Sequence, residues 1–257
     1  MSYGIEKWRA DEKALALERQ RMTEALARLA AVEMREAKGA VRRSGRLVFI
    51  LDLTGSRKAS LRRARIATAE MFTAVKRIGA VAVKLIYYRG EEECKASAWE
   101  SDPEIISRAM QRLSVETGGT QIARALRRVL AGEQEPVSGV VFIGDHCEDD
   151  PAELAQLAAA LGEKHVPVFV FHECADDDGR AVEARPVFRR MAEASNGVYS
   201  EFEPDSSAQL GELLSTVGAF SAGGIEAVKQ VPQVTTAQAR QLQSRLLRLG
   251  PGGVEGK

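Results

Sequence analysis

Asp52, Thr54 and Ser56 stand at alternate positions directly after the apolar run Leu47-Val-Phe-Ile-Leu51. On an extended loop, side chains two apart point the same way, so a carboxylate and two hydroxyls can converge on one hard cation. The same residue types also serve local structure, with Asp52 and Thr54 as turn formers and Ser56 as a helix cap. Further oxygen ligands from other parts of the chain are needed to decide between these readings. Two have suitable positions. Thr120 closes the loop Thr117-Gly-Gly-Thr120 ahead of a helical stretch, and Asp145 ends the apolar strand that begins at Val137.

The elements around these residues set where they can meet. Lys58 to Ile78 has helix-forming composition, and Gly79 stops it. Val81 to Tyr88 and Glu93 to Trp99 are strand-like and joined by Arg89-Gly-Glu-Glu92, a hairpin whose second, more polar arm suits a sheet edge. Helices are expected from the Ser101-Asp-Pro-Glu104 start to about Leu113, over Gln121 to Ala131, and over Asp150 to Gly162. A third apolar strand spans Val166 to Phe171, followed by a helix from about Ala184 to Ser195, a short strand from Gly197 to Phe202 and a helix from Ser206 to Phe220. Alternating strands and helices require parallel pairing with right-handed crossovers. The expected fold is therefore α/β, a doubly wound, mostly parallel sheet with one antiparallel edge strand and helices on both faces. In such a sheet, ligands gather beyond the carboxyl ends of the strands where strand order reverses. Asp52, Thr120 and Asp145 all fall at that edge.

Residues 1–44 read as a long amphipathic helix, with Leu15, Met22, Leu26 and Leu29 at helical spacing, and a short basic linker. The main domain spans 45–222. Residues 223–257 read as a polar linker, a short helix near Thr236 to Leu249 and a flexible tail.

Lys plus Arg and Asp plus Glu number 36 each, so no overall field draws the chain to nucleic acid or to an anionic membrane. Charge is uneven all the same. Eleven acids lie between Asp145 and Glu183 against Lys164 and Arg180, while Arg57 to Arg65 is basic. Cys94, Cys147 and Cys174 are odd in number and widely spaced, which argues for reduced thiols rather than a disulfide framework. With no apolar leader and no membrane-length run, the expectation is a cytoplasmic protein.

The loop Asp-Leu-Thr-Gly-Ser (52–56), then Gly-Gly-Thr (118–120) ahead of Gln-Ile-Ala-Arg-Ala-Leu, then Val-Val-Phe-Ile-Gly-Asp ending at Asp145, resembles the von Willebrand factor A domain over roughly residues 45 to 220. The segments Tyr-Tyr-Arg-Gly (87–90) and Gly-Gly-Thr-Gln-Ile, with the stretch from Ser206 to Gly224, look more narrowly like a bacterial group of intracellular A-domain proteins. The resemblance implies a Rossmann-like fold and a metal-ion-dependent adhesion site. Its ligands would be Asp52, Thr54, Ser56, Thr120 and Asp145, and its ion Mg²⁺, with Mn²⁺ or Ca²⁺ as alternatives. It also implies a partner protein that presents Asp or Glu to the ion, and no enzymatic turnover. Two departures stand out. Thr54 replaces the family's middle Ser and keeps the hydroxyl, whereas His146 stands where the family usually has Gly after the third-loop Asp.

Other chemistries fit less well. A phosphoryl-transfer aspartate of the dehalogenase type needs a second acid where Thr54 stands. A zinc site from His146, Cys147, His172 and Cys174 lacks any known ligand spacing. No nucleophile elbow surrounds Ser56, and no Lys follows Gly-Gly-Thr as a phosphate loop requires. The rival from a different class is a metal-independent scaffold that assembles through its terminal helices.

Overall fold

The computed structural model describes residues 44–55, 68, 71, 80–132, 136–174, 179–203, 206–231 and 234–248. The expected N-terminal helix, Ser56, most of the helix after the first loop, the acidic run Asp176 to Asp178 and the C-terminal tail lie outside them.

The first strand, β1 (Ser44–Asp52), is central. It pairs in parallel with β2 (Ala80–Arg89) on one side and with β4 (Gly139–Gly144) on the other. Beyond β2 lies the antiparallel edge strand β3 (Glu93–Ala96), and beyond β4 come β5 (Val168–Glu173) and β6 (Tyr199–Phe202), both parallel. The six strands run in the order β3-β2-β1-β4-β5-β6. The order reverses between β1 and β4, so the crevice at their carboxyl ends is the topological switch point.

Period-two alternation in β1 explains its burial on both faces. Leu47, Phe49, Leu51 and Leu53 enter one core, shared with α1 (Pro103–Arg112), α5 (Ser207–Lys229) and α6 (Ala237–Arg248). Val48 and Ile50 enter the other, shared with α2 (Ile122–Gly132), α3 (Pro151–Glu163) and α4 (Gly179–Ala194). Each fully buried Leu, Ile or Phe of β1 contributes about 1.5–3 kcal/mol of transfer free energy. That anchors the strand whose last residue is Asp52.

The helix starts follow local chemistry. Asp102 accepts the Glu104 N–H at 2.8 Å ahead of Pro103, and Asp150 accepts the Ala152 and Glu153 N–H groups, both at 3.2 Å, ahead of Pro151. Helix α4 begins at Gly179, earlier than the expected Ala184. The larger difference is at the C-terminal end. Where composition points to a polar linker after Gly223-Gly224, the chain bends at those two residues and resumes as helix to Lys229. Gly224 adopts φ +64°, a conformation that costs glycine little. Ala227, Val228, Val231 and Val234 are buried beyond the bend, and Ala239, Leu242 and Leu246 of α6 join the same core. Burial of this apolar stripe is what the polar residues between its members conceal in the sequence.

Candidate metal centre

Asp52 ends β1 and is 3% exposed. Its Oδ1 accepts the Thr54 N–H at 2.8 Å, a short side-chain to backbone bond that turns the first loop. The turn is held from both sides, since Leu53 N–H donates to Tyr88 O at 3.0 Å and Leu53 O accepts the Glu116 N–H at 3.0 Å. Thr54 is buried, and its Oγ1 has no hydrogen-bond partner among the described residues. A buried hydroxyl left this way costs roughly 1–3 kcal/mol, which makes it a candidate ligand atom.

The third loop follows β4. Leu51 pairs with Ile143, so the register brings the ends of β1 and β4 level with each other. Oxygen atoms of Asp52 and Asp145 and a ring nitrogen of His146 all lie within 4.8 Å of one another. His146 Nδ1 is 3.0 Å from Asp145 Oδ1, and its Nε2 is 3.7 Å from Glu148 Oε1. The hydrogen bond to Asp145 holds the His146 pKa above its ordinary value; burial opposes this, and the charges of Asp145, Asp52 and Glu148 reinforce it. Asp52 is buried and Asp145 half-buried, and two carboxylates this close favour a positive charge beside them. The donor set therefore suits a divalent cation.

The second loop is tied to the third through Thr120. Thr120 Oγ1 donates to Asp149 Oδ2 at 2.7 Å and accepts the Glu148 N–H at 2.8 Å, and Thr120 N–H donates to Glu148 Oε2 at 3.2 Å. Asp149 in turn accepts the Ile122 N–H at 3.0 Å and the Ala123 N–H at 2.9 Å, so it caps α2 from another segment. Thr120 thus locks the second loop to the third. Gly118 lies so close to the Gly90 backbone that a Cβ there would collide with it, and Gln121 Nε2 donates to Gly90 O at 3.1 Å. The hairpin turn at Gly90 and the Gly-Gly-Thr loop are packed backbone to backbone.

The acids after β4 are mostly structural. Asp149 and Asp150 cap α2 and α3, and Glu148 braces Thr120 and faces His146. Composition alone reads them as a charged rim. His146, considered in the sequence only alongside Cys147, His172 and Cys174, stands instead with Asp52 and Asp145, and the signal for this was its place directly after the strand-ending Asp145.

The alternative cysteine and histidine site does not assemble. His172 Nε2 is 2.9 Å from Asp145 O and its Nδ1 is 2.7 Å from the Tyr199 hydroxyl, so both ring nitrogens are engaged. Burial pushes the thiols of Cys147 and Cys174 up to about 12 and about 11.

No protein-family model matches the chain. No curated protein matches it either. Solved structures do. A von Willebrand factor type A protein from Catenulispora acidiphila superposes with TM-score 0.55 and 18% identity, covering 70% of this chain and 43% of that one. The vWF domain of the type V pili tip protein Mfa5 from Porphyromonas gingivalis gives TM-score 0.53 and 10% identity, covering 77% of this chain and 99% of that domain. Proximal thread matrix protein 1 from the mussel byssus, in a form with a zinc-occupied MIDAS motif, gives 0.50 and 14%, covering 70% of this chain and 47% of that one. The chain thus spans less than half the length of the first and third of these proteins. No described helix is long and apolar enough to cross a membrane. At such identities the likeness carries the architecture and not the site, and in architecture this chain has the von Willebrand factor A fold.

Proposed function

We propose that the chain is a metal-dependent protein-interaction module, in which a divalent cation at the switch point captures a carboxylate from a partner protein. The observation that carries this reading is the approach of Asp52 and Asp145 to within 4.8 Å at the ends of the two central strands. The buried Thr54 hydroxyl on the same loop supports it. Asp52, Thr54 and Asp145 would hold the ion together with Ser56, and Thr120 would contribute directly or through the loop that it ties down. Oxygen ligands of this kind favour Mg²⁺, which keeps waters and an exchangeable position, with Mn²⁺ or Ca²⁺ as substitutes. An Asp or Glu of the partner would take that position, so binding and not turnover is the expected activity. The three free thiols suit a reducing, cytoplasmic setting.

Thermal melting of the full chain in Mg²⁺, Mn²⁺ and EDTA tests the metal. At an ion concentration about a hundredfold over Kd, binding adds about 2.7 kcal/mol, which raises Tm by roughly 5–10 °C for a domain of this size. Asp52→Ala should remove the shift. Capture of a partner in Mg²⁺ and its release by EDTA tests the bridge. A wild-type melting curve indifferent to every divalent ion would favour the scaffold reading.

A further inference from the structure

We infer that His146 is a direct ligand of the ion and that it turns this site from magnesium toward first-row transition metals. The inference rests on the proposed metal site and names the class of ion it selects. Three observations carry it. The ring nitrogen of His146 lies within 4.8 Å of the carboxylate oxygens of both Asp52 and Asp145. Ligands bound at about 2.0–2.2 Å on opposite sides of one ion are about 4.0–4.4 Å apart, so a few tenths of an ångström of closure places all three on a common centre. His146 is 8% exposed, so the ring is buried beside the two carboxylates.

The surroundings of the ring place a carboxylate near each nitrogen. Nδ1 is hydrogen-bonded to Asp145 Oδ1 at 3.0 Å, and on binding it would give up that proton and share the ion with the same carboxylate. Nε2 faces Glu148 Oε1 at 3.7 Å, and Glu148 is fixed by the Thr120 N–H through its other oxygen. A carboxylate behind the distal nitrogen orients a ligating imidazole and raises its basicity. Thr120, Glu148 and His146 then form a line of support that ends at the ion.

The consequence for selectivity follows from ligand softness. Mg²⁺ is held by oxygen and gains little from imidazole, whereas Mn²⁺, Co²⁺ and Zn²⁺ gain in that order from a nitrogen ligand. Two carboxylates and one imidazole, with positions left for water, make a site of transition-metal type. The buried Thr54 hydroxyl is a further oxygen on the same loop.

Calorimetric titration of the chelator-stripped full chain with Co²⁺ and with Mg²⁺, for wild type and His146→Gln, tests selectivity. Pulsed electron paramagnetic resonance of the Mn²⁺-loaded wild type tests coordination. Expected are a ¹⁴N coupling from bound imidazole in the wild type, and in H146Q its loss with at least about a tenfold fall in Co²⁺ affinity. Mg²⁺ affinity should stay within about threefold. A wild-type spectrum without ¹⁴N coupling would overturn the inference while leaving an oxygen-only magnesium site intact. So would a thiolate-to-cobalt charge-transfer band, which would put a cysteine on the ion. Failure of wild type to bind any divalent ion would remove the proposed function itself. The wild-type spectrum needs no variant, so an unstable H146Q protein leaves the test decisive.

Discussion

The Thr120 hydroxyl donates to Asp149 Oδ2 at 2.7 Å, and the same carboxylate caps the first turn of α2 through Ile122 and Ala123. One acid of the third loop thus satisfies the helix that the second loop introduces, and the two loops form a single unit behind the candidate metal centre. Asp149→Ala should remove that cap and cost about 1–2 kcal/mol, lowering Tm in EDTA by roughly 2–8 °C. A melting temperature unchanged by D149A would show that the loops are held by other contacts.

Thr54 separates binding from stability. Its Oγ1 is buried with no hydrogen-bond partner among the described residues. Thr54→Val keeps the shape and removes a hydroxyl that lacks a partner among the described residues. In EDTA the variant should be as stable as wild type or up to about 1 kcal/mol more stable. In Mg²⁺ or Mn²⁺ it should gain less from the ion than wild type does. Paired denaturation curves with and without metal read both effects, and a loss of stability equal in the two conditions would mean that the hydroxyl serves structure alone.

Gly118 and Gly132 offer a matched pair. A Cβ at Gly118 would strike the Gly90 backbone, which cannot swing away as a side chain can, whereas no described residue lies within 4 Å of a Cβ at Gly132. Gly118→Ala should cost about 1–3 kcal/mol through backbone displacement. Gly132→Ala should be neutral or stabilising by up to about 1 kcal/mol, since alanine narrows the unfolded ensemble. Equal urea midpoints for the two variants would contradict the tight packing of the second loop on the hairpin turn.

The body of the fold was legible because its signals are local. Leu47 to Leu51 read as a doubly buried strand, the second arm of the hairpin at Arg89 to Glu92 read as an edge, and Pro103 marked a helix start, all as the structure has them. Asp52 and Asp145 were legible as a pair because the ends of two central strands must meet at the switch point. What sequence could not resolve was how residues on different loops divide the work. Thr120 and Asp149 are 29 positions apart, and only the folded loops reveal that one spends its hydroxyl on the other. The acids after β4 share one residue type but differ in role, as caps or braces. Their difference lies in which N–H groups they face. The bend at Gly223-Gly224 was misleading for a related reason. Glycine pairs look alike in a linker and in a turn that delivers a helix back to the core, and the buried partners of Leu242 and Leu246 come from distant segments.

That returning helix carries a pH dependence. Glu212 on α5 accepts four hydrogen bonds from the start of α6: from Thr235 N at 2.9 Å, Thr235 Oγ1 at 2.6 Å, Thr236 N at 2.8 Å and Thr236 Oγ1 at 2.7 Å. Partial burial pulls its pKa upward, but the bonds from Thr235 and Thr236 outweigh this and hold it at about 2, against an ordinary 4.5. A carboxylate with a depressed folded pKa contributes its full stability above the unfolded value and loses it as pH falls toward the folded one. The window here runs from about 4.5 down to about 2. Glu212→Gln should therefore cost about 1–3 kcal/mol near neutral pH, with discounting for partial solvent screening. The gap between variant and wild type should narrow steadily below pH of about 4.5, because the wild-type carboxylate is progressively protonated in the unfolded chain. Urea midpoints of the two proteins across that range measure the gap directly. A difference that stays constant with pH would mean that the Glu212 charge plays no part in holding α6 against the sheet.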